Sequence, residues 1–405
     1  MSLLSFVYFL VNKHYNIVYS QHENAKGGKN VKFTISKRQF ANHIGQVLKG
    51  IPSKTNQPIL KNFLIEVNKE KGKVFVTATD TVISIQSETE ATTIESDGKV
   101  CVDAKLLDGL LKKIKLKAKQ DVEIGFYIEA GELVVEIDSS KTKLKIADPE
   151  EYPVIEWSEG ESTFTINGDS FMESIKQVSF STLKNESRPV LSGVLFKVEE
   201  GYLTMVSTDG HRMSLKMTSV EHLTENGESI IPVDSLAGIG KVLSSNKKSF
   251  MNVFMSEKEA IFEVNGVRVL TTFMNGEFLN YKRIFGLKQS TRIMIDKEPL
   301  LAVLERASIF IPKDKIALVS LKAEDDLLEI NIASESGNVE ETLDTNMIGQ
   351  AIEITFNVSY LISALQAIKE DRVAFNLINA INPVILEGVG NKSYKHMLLP
   401  IKSQN

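Results

Sequence analysis

Cysteine is almost missing from this chain of 405 residues, which holds a single one, Cys101. A disulfide framework is therefore excluded, and a structural zinc site lacks its thiolates. Flanked by Val100 and Val102, Cys101 reads as a small apolar residue of a strand. Long hydrophobic runs are absent too: nothing approaches the ~20 apolar residues of a spanning helix, which argues against an integral membrane protein. Common catalytic signatures are also lacking, with no phosphate-binding glycine loop, no Gly-x-Ser-x-Gly elbow and no His-Glu-x-x-His helix. What remains is ordinary soluble composition, 42% apolar and 24% charged with a net charge of −5.

What the chain does contain is an internal repeat. The stretch 162–198 slides back by 131 positions without a gap. Phe164 then falls on Phe33, Ile166 on Ile35, Phe171 on Phe40, Ile175 on Ile44, Val178 on Val47, Pro189 on Pro58, Leu191 on Leu60 and Leu195 on Leu64. Sliding it forward by 129 gives a fainter third copy, with Ile166 on Ile295, Phe171 on Leu300, Ile175 on Leu304 and Val178 on Ala307. Each copy predicts a short strand, a helix apolar on one face and then paired strands; in the second copy Asp169 or Ser170 is expected to cap the helix. A second half-unit of the same kind begins at Val100, Ile230 and Ile354. The fold class is thus α+β, with six strand–helix–strands modules in three domains of about 125 residues. The expected boundaries are 31–157, 158–288 and 289–405.

Residues 1–30 stand outside the repeat. No basic segment precedes the apolar stretch Leu3 to Val11, and no small-residue cleavage site follows it, so a secretory signal is a poor fit. Lys26-Gly27-Gly28-Lys29-Asn30-Val31 can instead be encoded by a bacterial ribosome-binding site, a spacer and a GTG start codon. The expectation is that Val31 is the natural initiator and that the first 30 residues are leader.

Charge is segregated along the chain. The six helical windows 37–50, 104–119, 169–184, 235–248, 297–309 and 358–370 hold 17 Lys and Arg against 6 acids. That surplus of 11 leaves −16 for the remainder of a chain whose total is −5. A lysine run by itself is an ordinary solvated face. Basic helices on acidic sheets, however, suit a protein whose helical side meets phosphate. The densest run, Lys105 to Lys119, includes Lys112, Lys113 and Lys117.

One candidate for chemistry remains, Thr208-Asp209-Gly210-His211-Arg212-Met213, where an acid and a histidine follow a strand. A hydrolase using Asp209 and His211 is one reading. Asp-Gly is also a common turn, and the first repeat keeps Thr79-Asp80 without the histidine, so a shared turn that acquired binding side chains is the other reading.

Residues 31–402 resemble the β subunit of bacterial DNA polymerase III, the replicative sliding clamp. The resemblance rests on Lys-Phe-Thr-Ile at 32–35, Pro58-Ile59-Leu60, Thr208 to Arg212, Asn275-Gly276-Glu277-Phe278 with Tyr281-Lys282-Arg283, Phe356-Asn357-Val358-Ser359-Tyr360, and Met397-Leu398-Leu399-Pro400-Ile401. It implies a head-to-tail homodimeric ring with helices lining the hole and sheets outside, in the bacterial cytoplasm. It implies no cofactor, no metal and no catalysis. Double-stranded DNA would be held without regard to sequence, through the helices and the loop residues Lys54, Lys184 and Asn185. Ring closure would use Leu144 and Ile146 from one copy and Ile309 and Phe310 from the other. The clamp loader, the polymerase and other partners with Gln-x-x-Leu-Phe-type motifs would enter a pocket between the second and third domains. That pocket would be formed by Leu191, Thr208, Gly210, His211, Arg212, Met213, Leu279, Arg283, Ile284, Asn357, Tyr360, Ile381, Pro383, Met397, Leu398, Leu399, Pro400 and Ile401. Leu279 stands where the family commonly has proline. An accessory clamp homologue serving repair or a mobile element is the alternative suggested by that altered wall.

Overall fold

The structure is a computed structural model, which describes residues 31–114, 121–157, 163–183, 188–244, 249–309, 317–334 and 337–401. The chain divides into two compact units, Met1–Ser158 with Asn265–Leu270, and Glu159–Val264 with Thr271–Asn405. The expected leader, residues 1–30, lies outside the described residues.

The same step is taken again and again: a short strand runs directly into a helix. In the first unit the strands Lys32–Ser36 and Gly98–Asp103 lead into α1 (Lys37–Val47) and α2 (Ala104–Lys113). In the second unit Phe164–Asn167 and Gly227–Pro232 lead into α3 (Gly168–Ser179) and α4 (Val233–Leu243). A single turn, α5 (Tyr281–Phe285), comes next. Thr291–Asp296 and Ile352–Asn357 then lead into α6 (Lys297–Ser308) and α7 (Val358–Ala367). All six helical windows of the sequence therefore carry helices. The last strand residue often serves as the cap, since Ser36 Oγ accepts from Gln39 N at 3.2 Å and Asp103 Oδ1 from Leu106 N at 2.8 Å. In the second repeat the cap is Asn167, whose Oδ1 accepts from Ser170 N at 3.1 Å. Asp169 and Ser170, the expected caps, lie inside the helix, which starts at Gly168.

Each helix buries one apolar stripe. Phe40, Ile44 and Val47 on α1 and Phe171, Ile175 and Val178 on α3 are buried, as the repeat requires. The helices pack in pairs, α1 on α2, α3 on α4 and α6 on α7. The opposite faces carry exposed basic residues, among them Arg38, Lys105, Lys113 and Lys176.

Sheets back the helix pairs. In the second unit nine strands form one antiparallel sheet, in the order Gly227–Pro232, Gly193–Glu199, Tyr202–Thr208, Arg212–Ser219, Tyr394–Leu398, Val384–Gly388, Arg372–Leu377, Thr291–Asp296 and Asn346–Ile348. The join that matters is between Arg212–Ser219 and Tyr394–Leu398, where Met213 sits opposite Met397 and Arg212 opposite Leu398. It brings the chain's last strand beside the second repeat. A four-stranded sheet, Gly337–Asp344, Leu327–Ser334, Leu318–Glu324 and Ile352–Asn357, completes the third domain.

Candidate functional site

The turn Thr208 to Arg212 is built from side chain to backbone. Thr208 Oγ1 donates to Arg212 O at 2.7 Å and accepts from Gly210 N at 3.1 Å. Asp209 Oδ1 accepts from His211 N at 2.9 Å and Arg212 N at 3.0 Å. The first unit repeats this at Thr79 to Ile83: Thr79 Oγ1 bonds Ile83 O at 3.1 Å and Thr81 N at 3.0 Å, while Asp80 Oδ1 accepts from Val82 N and Ile83 N. Gly210 at φ +91° and Thr81 at φ +78° share the left-handed corner. The turn is therefore a property of the repeat, and only the second copy adds His211 and Arg212. With one carboxylate oxygen on two amides and the other 2.9 Å from Arg212 Nε, Asp209 is held by the turn and by Arg212 rather than by the His211 ring.

Arg212 is the centre of the site. Its Nη2 donates to Phe180 O at 2.8 Å, and the guanidinium lies 5.3 Å from the Phe180 ring centre and 4.4 Å from that of Tyr360. Tyr360 is positioned by the start of α7, where Asn357 Oδ1 accepts from Ser359 N at 2.9 Å and Tyr360 N at 3.4 Å. The His211 ring lies 6.5 Å from Tyr360. Behind Arg212, the fully buried His396 stacks on Phe180 at 5.4 Å, with Nδ1 2.9 Å from Ser214 Oγ. Burial, helped by the Arg212 charge, pushes the His396 imidazole down to about 3.

The chain end closes one side. Leu399 N donates to His211 O at 2.9 Å and Ile401 N to Thr355 O at 2.8 Å, so residues 399–401 are held between the turn and the third domain. Beside them Met213 and Met397 are buried in a cluster with Leu195, Leu215 and Ile230, against which Val190, Met274, Phe278, Ile284 and Phe285 pack.

Most expected residues come together here, with differences in role. Thr208 and Leu191 are buried, Leu191 being fixed by Leu183 N donating to its carbonyl at 2.8 Å. The Leu398 side chain points away from the Met213 and Met397 cluster into the third-domain core, because alternation along the strand sends 398 to the face opposite 397. Leu279, Ile381 and Leu399 are exposed apolar residues, and Arg283 is exposed on α5. Pro383, Pro400 and Ile401 are half-buried. Phe180, Met274, Phe278 and His396 were not legible as site residues; Phe180 acts through its carbonyl as well as its ring, and side-chain type does not reveal the former.

Of the expected DNA residues, Lys54 and Lys113 are exposed, and Lys112 is ion-paired with Asp108 at 2.6 Å. Lys117, Lys184 and Asn185 lie outside the described residues. At the expected closure surfaces Leu144 and Ile146 are half-buried and Ile309 is 79% exposed, while Phe310 lies outside the described residues. No helix among the described residues is long and apolar enough to cross a membrane.

Three family descriptions match in succession: the DNA polymerase III beta subunit N-terminal domain at residues 31–156, its central domain at 165–280 and its C-terminal domain at 282–402. The chain belongs to the DNA polymerase III beta subunit family. It is 27% identical over 382 residues to a beta sliding clamp of Staphylococcus aureus, covering 92% of this chain and 100% of that one. To a clamp of Staphylococcus epidermidis it is 25% identical over 385 residues, again 92% and 100%. The fold is that of the DNA polymerase sliding clamp from Bacillus subtilis, with a TM-score of 0.86 at 24% identity, covering 93% of this chain and 100% of that one. The beta subunit from Streptococcus pyogenes gives 0.84 at 23% identity, with 92% and 100% covered. Three clamp domains are thus present, and the family's members are processivity factors rather than enzymes.

Proposed function

We propose that the chain is the replicative DNA sliding clamp of a bacterium, acting in the cytoplasm as a head-to-tail homodimer that encircles duplex DNA. Each ring would tether the polymerase, and receive the clamp loader and other partners, by seating Gln-x-x-Leu-Phe-type peptides in the cleft beside Arg212. Domain boundaries at 157 and 288 go with this reading.

The observation that carries it is a pair of unfinished edges of opposite charge. Strand Ser140–Ala147 pairs along one side with Glu132–Ile137, but on the other only at Ile146 and Ala147. Residues 140–145, with Lys141, Lys143 and Lys145, keep that side unpaired among the described residues. Strand Gly337–Asp344, with Glu340, Glu341 and Asp344, has Leu327–Ser334 as its one strand neighbour among the described residues. Exposed edges invite another chain, and a cyclic arrangement of two copies would pair both of these. Leu144, Ile146 and Ile309 then supply the apolar part of the joint. Basic helix faces turned to the hole hold phosphate through charge alone, which permits sliding.

Topology tests this. Loaded onto a nicked circular plasmid, the protein should stay bound through gel filtration and should leave when the plasmid is cut once. Retention on the linear product would overturn encirclement. Lys112→Glu with Lys113→Glu should weaken retention equally on all sequences and flatten its salt dependence.

A further inference from the structure

On the face of the second-domain sheet that carries Leu195 and Ile230 lies a cavity of about 510 Å³ that the peptide reading does not use. Leu195 sits opposite Ile230 and Lys197 opposite Glu228 on adjacent strands, so period-2 alternation puts these side chains on one face. Leu195, Ile230, Phe273 and Phe278 are among its lining residues, its surface is mainly polar, and Glu228, Glu257 and Glu277 give it a rim with no lysine or arginine among the lining residues. Lys197 lies 3.7 Å from Glu228, but it is closer to Glu199 at 3.0 Å. Glu257 and Glu277 have no ion-pair partner among the described residues.

The cavity and the cleft share a wall. Leu195 and Ile230 belong to the same buried cluster as Met213 and Met397, and Met274 and Phe278 pack on that cluster from the loop between the two sites. The loop is pressed down by two glycines. A Cβ on Gly276, at φ +132°, would lie 2.6 Å from Val190 Cγ2, and one on Gly193 would lie 2.7 Å from Met274 Sδ. Val190 in turn adjoins Leu191. A chain whose apolar anchors pack on that cluster would thus lie beside an acid-rimmed hole.

We propose that this cavity takes a lysine or arginine side chain that flanks the apolar anchors of the same partner peptide, an inference that rests on the peptide reading above. Such a side chain suits both parts of the hole. Its methylene stem can lie against the half-buried Phe273 and Phe278 while its charged head stays at the wet carboxylate rim. Exposed ion pairs contribute modestly and are screened by salt, so the cavity acts as a selector among partners that share the same anchors.

The test uses fluorescence polarisation of full-length protein at low salt. Three labelled peptides carry one Gln-x-x-Leu-Phe core, flanked by alanines, by two lysines on the amino side, or by two lysines on the carboxyl side. One lysine peptide should bind about threefold to tenfold tighter than the alanine peptide. That advantage should vanish in the triple variant Glu228→Gln, Glu257→Gln, Glu277→Gln, with alanine-peptide affinity unchanged. A control variant, Glu70→Gln, Glu90→Gln, Glu150→Gln, removes three exposed acids elsewhere, and should keep the advantage. Equal binding of the three peptides, or an advantage that survives the first triple variant or disappears in the control, would overturn the proposal while leaving the cleft intact. Failure of the alanine peptide to bind at all would instead overturn the cleft reading, and this inference with it.

Discussion

The Arg212 guanidinium lies 4.4 Å from the Tyr360 ring centre and so joins the second domain's turn to the first turn of α7 in the third domain by a cation–π contact. Arg212 also spends Nε on Asp209 and Nη2 on the Phe180 carbonyl. Lysine cannot reproduce that fork. Arg212→Lys should weaken a Gln-x-x-Leu-Phe peptide about tenfold, roughly 1.4 kcal/mol, with the dimer intact by light scattering. An affinity within twofold of wild type would mean that this wall does not shape the cleft.

Met397 and Leu398 are neighbours with opposite fates. Met397→Ala should cost the peptide about 1 to 3 kcal/mol, because Met397 belongs to the cluster beside the cleft. Leu398→Ala should act on denaturation instead, lowering stability by roughly 2 to 5 kcal/mol through the third-domain core. Titrations of both variants by polarisation and by urea would separate the two effects, and a swap of the outcomes would refute the strand register.

Ring closure has its own signature. Ile309 is a large apolar residue left 79% exposed, and Leu144 lies on the unfinished edge. Leu144→Ala with Ile309→Ala should shift the protein from dimer to monomer in sedimentation at micromolar concentration, while each monomer still binds peptide. A double variant that stays dimeric at nanomolar concentration would move the interface elsewhere.

Acid sensitivity should trace to His396. Its folded-state value near 3 lies below the ordinary 6.5 because burial, with the Arg212 charge, disfavours the imidazolium. Between those values the unfolded chain binds more protons than the folded one, so acidification favours unfolding. Stability contributed by the neutral ring is complete above pH 6.5 and is lost by about 1.4 kcal/mol per unit as pH falls toward 3. His396→Phe keeps the stack on Phe180 and should flatten that part of the urea-midpoint profile; an unchanged slope would assign it to other groups.

The repeat was legible because core spacing survives duplication. Phe40 and Phe171, or Ile44 and Ile175, are buried one helical turn apart in both copies, so eight matched positions sufficed to find the modules. Helix starts were less legible. Asn167, Asp169 and Ser170 are all competent caps, and the end of the preceding strand selects among them. The cleft was half visible. Thr208, Arg212, Met213 and Met397 could be placed by resemblance, whereas the inward turn of Leu398 follows from register. The Phe180 carbonyl meets Arg212 across 32 residues, and His396 meets Ser214 across 182, separations that local pattern cannot encode.

That join also sets a clock. Strand Arg212–Ser219 acquires its neighbour only when Tyr394–Leu398 has been made, so on a ribosome adding about 5 to 20 residues per second the cleft stays unfinished for roughly 10 to 35 s after its first half emerges. Throughout that interval Met213 lacks Met397 and His211 lacks the Leu399 amide. On the proposed reading, a half-synthesised chain thus has no complete docking place to offer, and only chains whose last domain has been translated and folded would recruit partners.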